Sequence, residues 1–454
     1  MRTQQADAAR RMKQIMRSAK DIPPEDAEEL QTMLSDMRRT DIIQLIERTN
    51  ADRGALIIRL LPQPRATKVF DALDTMHQAS ITHALGSDNV TSFFDALGPE
   101  DRAMLLDELP AEVAETMLQE LQPSARDSTW TVLGYDKGTL GRRMSPEVPD
   151  IFPGMTVDEV VAKLREGADD VETIYTLPVI EEDRTLVGVT TLKRVFTADG
   201  ATPVGELLEE WPSAKATDGA EETARWFLPL DLLAIPVVDD AHKLVGILTV
   251  DDAHDIVEHA DTEDSARSGG SEPLQQPYLA TPVGKLVRSR IVWLAVLALS
   301  ALLTVQVLDI FESTLEKAVV LSLFIPLLTG TGGNTGNQAA TTVTRALALG
   351  DVRKRDIVQV MWRELRVGVL LGAVLGTVGF FLAWLVYGLP IGAIIGSTLF
   401  FVCALSATVG GAMPIIAKAV GADPAVFSNP FITTFCDAAG LIIYFLIAKS
   451  VLGI

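Results

Sequence analysis

Hydrophobic and polar positions follow two different rules along this chain, and the change falls near Pro282. Beyond it come three long runs without charge, Ile291–Leu308, Ala318–Thr344 and Val367–Ala417, and a fourth apolar run, Phe427–Leu452, whose charges are Asp437 and Lys449. A helix needs about 20 apolar residues to cross the hydrocarbon of a bilayer. The third run is too long for one crossing and carries a turn signal at Tyr387–Pro390, so the pattern predicts five membrane helices. Before Pro282 the apolar positions recur at helical spacing in short segments, led by turn motifs starting at Leu97, Leu109 and Leu121. That pattern predicts a stack of short helices, an α-solenoid that buries its core between neighbours.

Between these regions two stretches repeat each other: "LPVIEEDRTLVGVTTLKRV" from Leu177 and "IPVVDDAHKLVGILTVDDA" from Ile235. Each reads as strand, acidic turn, strand and helix, and each follows a helical segment, Val157–Glu166 and Ala220–Leu228. The "PVVD…LVG" hairpin resembles that of paired CBS domains, a fold that often binds adenosine nucleotides through a "GxxTxxD" element. The second copy holds it complete as Gly246, Thr249 and Asp252, whereas Arg194 replaces the acid in the first. The resemblance places ATP or another adenosine nucleotide at the second copy. A Thr-x-x-Asp helix start is also an ordinary cap.

The second membrane run is unlike the others. "PLLTGTGGNTGNQ", from Pro326, brings Asn334, Asn337 and Gln338 into a segment of bilayer length. Pro326 removes a backbone donor and the glycines loosen the helix, so a break is expected there, with carbonyls facing protein or a water-filled cavity. Packing of small residues between helices accounts for some of the glycines; it does not account for three amides. In the last run Asn429, Thr433 and Asp437 recur every four residues on one helical face. Asp437 lies about 15 Å into that helix, close to mid-bilayer, where a carboxylate is costly and marks a functional site by default. The competing role is a structural polar group, either protonated or paired, but no Lys or Arg lies at a similar depth.

Charge sharpens the division. Residues 282–454 hold 8 acidic and 12 basic residues, so nearly all the chain's 60 acids belong to the front. Such a surface argues against nucleic acid, whose phosphates need cations; it suits a cation partner or plain solubility. Lys285, Arg288 and Arg290 precede the first run, and Arg345 to Arg366 carry six basic residues between the second and third. The positive-inside rule therefore predicts a cytoplasmic front half and, after five crossings, an external C-terminus. Asp351–Leu365 is expected to lie as a helix along the inner face. No secretory signal is expected at the N-terminus, and the two cysteines, Cys403 and Cys436, imply no disulfide framework.

One carboxylate per chain is a poor site for a divalent cation, but a two-fold dimer would bring two copies of Asp437 and Asn429 together. Oxygen ligands suit Mg²⁺ or Ca²⁺, and Mg²⁺ would keep many of its waters. Residues 251–264 add seven acids in fourteen positions, with Asp251, Asp255 and Glu258 on one face. A solvated charge run is the plain explanation; beside a cation path, bound cations would relieve the repulsion. His254 and Glu258 at i and i+4 are a weaker candidate for a softer metal. The stretch Ser265–Pro282 reads as a flexible patch leading into the membrane.

Taken together, "PLLTGTGGNTGNQ" and "DPAVFSNPFITTFCD" resemble the MgtE magnesium channels, over essentially the whole chain. The resemblance implies a multidomain membrane protein: an α-solenoid N domain (1–135), an α/β tandem CBS pair (136–260), a connecting or plug helix with linker (261–285), and an all-α five-helix transmembrane pore (286–454). It implies a homodimer in the inner membrane, in the lipid bilayer, importing Mg²⁺ without enzyme chemistry. Asp437 matches the central pore aspartate, with Asn429 and Thr433 beside it and Asp423 near the cytoplasmic entrance. Asn334, Asn337 and Gln338 match the second-span signature. Asp231, Asp251, Asp252, Asp255, Glu263 and Asp264 match the acidic positions at which cytoplasmic Mg²⁺ closes the pore. A broader Mn²⁺/Co²⁺ channel, or a nucleotide-sensing CBS receptor without transport, are the alternatives; the Asn429–Thr433–Asp437 stripe speaks against the receptor, since an anchor has no use for a buried acid.

Overall fold

The computed structural model describes residues 24–85, 91–168, 170–274, 278, 281–421 and 429–453. It divides into two compact units, residues 1–260 with 274–282, and residues 261–273 with 283–454.

The first unit begins with short helices, among them α1 (Pro24–Asp36), α2 (Arg39–Glu47), α3 (Ala51–Leu60), α4 (Gln63–Asp71), α5 (Thr75–Leu85) and α6 (Thr91–Phe94). The three leucine-led motifs then open α7 (Pro99–Glu108), α8 (Ala111–Glu120) and α9 (Pro123–Leu133). Pro99 and Pro123 stand in the first turn of their helices, where the missing N–H is an orphan donor anyway. Each helix contributes one apolar stripe to a shared core that includes Ile46, Ile57, Phe70, Ile81, Leu105 and Met117.

The repeated α/β unit folds as its sequence pattern predicts. Helix α10 (Val157–Glu166), strands β1 (Thr176–Ile180) and β2 (Leu186–Thr191), and α11 (Leu192–Thr197) form one copy. The second comprises β3 (Ala214–Lys215), α12 (Ala220–Phe227), β4 (Ala234–Val238), β5 (Leu244–Thr249) and the start of α13 (Val250–Ser268). The hairpins β1–β2 and β4–β5 are antiparallel, and β3 adds to β4 in parallel. Both acidic turns place a residue in the left-handed region, Arg184 at φ 71° and His242 at φ 62°. There the copies exchange reciprocal hydrogen bonds: Leu186 N–H donates to His242 O (3.1 Å) and Leu244 N–H to Arg184 O (2.8 Å). The duplicated sequence thus yields a local two-fold pair.

The second unit holds five long helices: α14 (Val283–Ile310), then, after the short α15 (Glu312–Lys317), α16 (Ile325–Ala348), α17 (Ile357–Tyr387), α18 (Leu389–Ala419) and α19 (Asn429–Leu452). Among the described residues four of them, all but α16, are apolar and long enough to cross a membrane, against five expected from the pattern, because the polar residues of α16 lower its hydropathy. The turn at Tyr387–Pro390 divides the long run as expected, with Gly388 at φ 87°. Residues 357–365 do not form a separate helix along the inner face; they are the opening turns of α17. Helices α17 and α18 approach closely because glycines face each other: a Cβ on Gly376 would stand 2.6 Å from Gly396 O, and one on Gly372 2.6 Å from Phe400 O. Without a hydrophobic drive between helices in lipid, such backbone contact supplies the packing.

Candidate functional site

The expected break at Pro326 is absent. Helix α16 runs unbroken, with Pro326 in its first turn, where no hydrogen bond is lost; the irregular piece is the 3₁₀ segment Val319–Phe324 just before it. Tyr444 of α19, fully buried, donates its hydroxyl to Leu321 O (2.8 Å) and pins that segment. The threonines of α16 donate back to its own carbonyls, Thr331 to Leu327 O and Thr335 to Thr331 O. They are therefore compatible with an apolar surrounding. The glycines are contact points. A Cβ on Gly410 of α18 would lie 2.2 Å from Gly336 O, and one on Gly336 would lie 2.7 Å from Ile432 Cγ2 of α19. Gly332, Gly333 and Gly336 let α16 lie against α18 and α19 at once.

The amides divide. Asn337 Nδ2 donates to Thr433 Oγ1 at 3.0 Å, joining α16 to α19. Asn334 and Gln338, four residues apart, stay exposed on the surface of the single chain. One helical turn beyond Thr433, Asp437 is half-buried, and its Oδ1 is buried without a hydrogen-bond partner. A Cβ on Gly333 would stand 3.7 Å from that oxygen and 3.0 Å from Thr433 Cγ2. The small face of α16 therefore covers the carboxylate without offering it a hydrogen bond. Asn429 opens α19, and Asp423 lies outside the described residues.

In the first unit the acidic positions behave differently. Asp231 sits in the left-handed region at φ 54°, and Asp251 and Asp255 are exposed on α13. In the second unit Glu263 pairs with Arg267, one turn along, and Asp264 is half-buried there. Thr249 Oγ1 donates to Asp252 Oδ2 (2.5 Å), and Gly246 lies so close to the chain before the repeats that a Cβ would meet Ser145 O at 2.6 Å. Among the described residues no group of three His, Cys, Asp or Glu side chains is arranged to hold a metal ion.

Sequence reasoning missed the acids that Asp252 meets. Glu100 and Asp101, in the first turn of α7, and Glu172, before β1, crowd electrostatically with Asp252. Burial, then Asp252, raises Asp101 to about 7. Burial and Asp252 likewise raise Glu172 to about 7, and burial raises Asp252 itself to about 6. Glu100 is 5 % exposed, is pushed well above the usual carboxylate range by burial, and its Oε2 has no hydrogen-bond partner. Arg143 is the cation that opposes this crowding. The only available signal was two adjacent acids after a helix-starting proline, which also reads as ordinary complement to the helix dipole. The neighbouring contacts hold the α-solenoid to the α/β repeats. Buried Arg142 makes a bidentate pair with Asp107 (2.8 and 2.9 Å) and donates to Leu133 O at the end of α9.

Comparison with known proteins decides the family. Residues 325–447 match the MgtE divalent cation transporter model, residues 37–138 the MgtE intracellular N domain and residues 140–201 the CBS domain. The magnesium transporter MgtE of Thermus thermophilus is 34% identical over 434 residues, 94% of this chain and 96% of the relative. The chain belongs to the MgtE family. The MgtE of Bacillus subtilis is 31% identical over 335 residues, 73% of this chain and 74% of that one. The cytosolic domain of an MgtE Mg²⁺ channel, solved in complex with ATP, is 30% identical and covers 50% of this chain and 94% of that one, with a TM-score of 0.47. As an MgtE protein with long apolar helices, the chain is a multi-pass membrane protein whose polar groups cluster on α16 and α19.

Proposed function

We propose that the chain conducts Mg²⁺ across the inner membrane into the cytoplasm, as a homodimer with the path on its axis and its C-terminus outside. The observation that carries this reading is the unpartnered Oδ1 of Asp437 beside the glycine face of α16. A carboxylate oxygen without a hydrogen-bond partner at membrane depth is costly and marks a place for water or a cation. Asn334 and Gln338, exposed on one chain, suit a wall completed by the second copy. Asn429, Thr433 and Asp423 complete the path on α19 and at its entrance. Mg²⁺ is the substrate, held largely through its waters. The relatives are named magnesium transporters, which favours this reading over a CBS receptor without transport; no residue here is assigned an enzymatic role.

The cytoplasmic acids supply feedback. Burial raises the proton affinity of Glu100, Asp101, Glu172 and Asp252. Mg²⁺ bound at the cytoplasmic acids, Asp231, Asp251, Asp252 and Asp255 in the first unit and Glu263 and Asp264 in the second, would replace protons and favour the closed state. Adenosine nucleotide, ATP in first place, is proposed at the second α/β copy; there it would have to displace the Thr249–Asp252 bond. The test is Mg²⁺ flux into liposomes holding the purified protein, with Asp437→Ala alongside. Flux lost in the variant supports the reading, and equal flux removes Asp437 from its role.

A further inference from the structure

Helix α13 ends in a defined cap. Gly270 adopts φ 67°. Its N–H donates to Arg267 O (2.9 Å), and Ser271 N–H donates to Ala266 O (3.1 Å). These are the paired 5→2 and 6→1 bonds of a Schellman cap, so the Ser/Gly-rich patch that reads as flexible is in part a helix terminus. One residue later Glu272 is held twice by the cytoplasmic turns of α14. Its N–H donates to Ser289 O (3.0 Å), and its Oε1 accepts from Trp293 Nε1 (2.9 Å). Ser289 and Trp293 are one turn apart on α14, so a single residue grips two successive turns. Pro273 follows at once and limits the chain's escape from this geometry.

We infer that Glu272 and Trp293 form a latch that ties the capped end of α13 to the first membrane helix, so that cation binding along α13 reaches the pore through α14. This rests on the proposed feedback by Mg²⁺ and names the joint through which it acts. Glu272 is a positioning residue; it holds no ion. Its role depends on an acceptor oxygen rather than on charge, and that separates it from the acids of α13.

The test is the concentration of Mg²⁺ on the cytoplasmic side that halves flux, measured with the full chain in liposomes for wild type, Glu272→Ala, Glu272→Gln, Trp293→Phe and the Ala/Phe double variant. Loss of one hydrogen bond corresponds to roughly 3- to 10-fold in the coupling equilibrium. Glu272→Ala and Trp293→Phe should each raise the half-closing concentration by about that factor, without changing flux in the absence of cytoplasmic Mg²⁺. The double variant should be no worse than either single one, and Glu272→Gln, which keeps the acceptor, should close as wild type does. A half-closing concentration unmoved in both single variants, with wild type closing normally, overturns the latch. A shift in Glu272→Gln as large as in Glu272→Ala overturns it too, because charge would then be the cause. Wild-type flux indifferent to cytoplasmic Mg²⁺ overturns the feedback reading itself.

Discussion

Asn337 donates to Thr433 across 3.0 Å, and this bond joins the polar face of α16 to that of α19 one turn from Asp437. It gives Asn337 a partner on another helix, whereas Asn334 and Gln338 stay exposed on the single chain. Removing the bond with Asn337→Ala should cost roughly 1 kcal/mol, the usual scale for an interhelical hydrogen bond in a membrane. Thr433→Val should cost about as much, and the double variant no more than either alone. Thermal unfolding in detergent reads the cost. A loss equally large for Gln338→Ala would show that the bracing role is shared.

The helix crossing beneath that bond is the less forgiving feature. Gly410→Ala would drive a methyl group into Gly336 O, backbone that cannot rotate away. Overpacking of this kind costs typically about 1–3 kcal/mol. The same change at Gly330, which has nothing within 4 Å, should leave stability and flux unchanged. If both variants unfold at the wild-type temperature, the close approach of α16 and α18 is wrong.

Arg142 should be the most costly ion pair to break in the cytoplasmic region. It is 8 % exposed, bidentate to Asp107, and also donates to Leu133 O at the end of α9. Arg142→Ala leaves Asp107 to its second partner, exposed Lys137, and loses the charge-assisted bonds of a buried guanidinium, on the scale of about 2 kcal/mol. Arg184→Ala breaks an exposed pair with Asp150 and should cost under about 1 kcal/mol. Denaturant midpoints of the two variants give the comparison, and equal midpoints would discard it.

How much of this was legible in the sequence depended on whether the signal was local. The hairpins with their acidic turns and the leucine-led turns before α7, α8 and α9 follow from neighbouring residues, so strand and helix positions agree closely with the pattern. Pro326 misled because proline marks both a broken helix and a helix start, and only the residues before it, Val319–Phe324, decide between them. The inner-face helix misled because charge at Arg363 and Arg366 hides the continuity of α17. Asn337 was singled out from its position, but its partner lies on another helix, and nothing in either segment names the pairing. The meeting of Glu100, Asp101 and Glu172 with Asp252 is set by tertiary packing alone.

That meeting fixes the last prediction, a stability that falls as pH rises. Carboxylates ordinarily titrate near 4, whereas Asp101 and Glu172 are raised to about 7 and Asp252 to about 6. Between about pH 4 and pH 7 the folded protein therefore binds more protons than the unfolded chain, and the stability of a state that holds extra protons declines as they are removed. Without Mg²⁺, the unfolding temperature of the cytoplasmic region should drop across that window. Mg²⁺ should restore it, and by more at about pH 8 than at about pH 5, because the cation and the proton compete for the same carboxylates. Glu100→Gln and Asp252→Asn should flatten both the pH slope and the Mg²⁺ gain. Differential scanning of the full chain in detergent measures all of these. An unfolding temperature that climbs through the same window without Mg²⁺ would show that the four acids are paired or solvated rather than crowded.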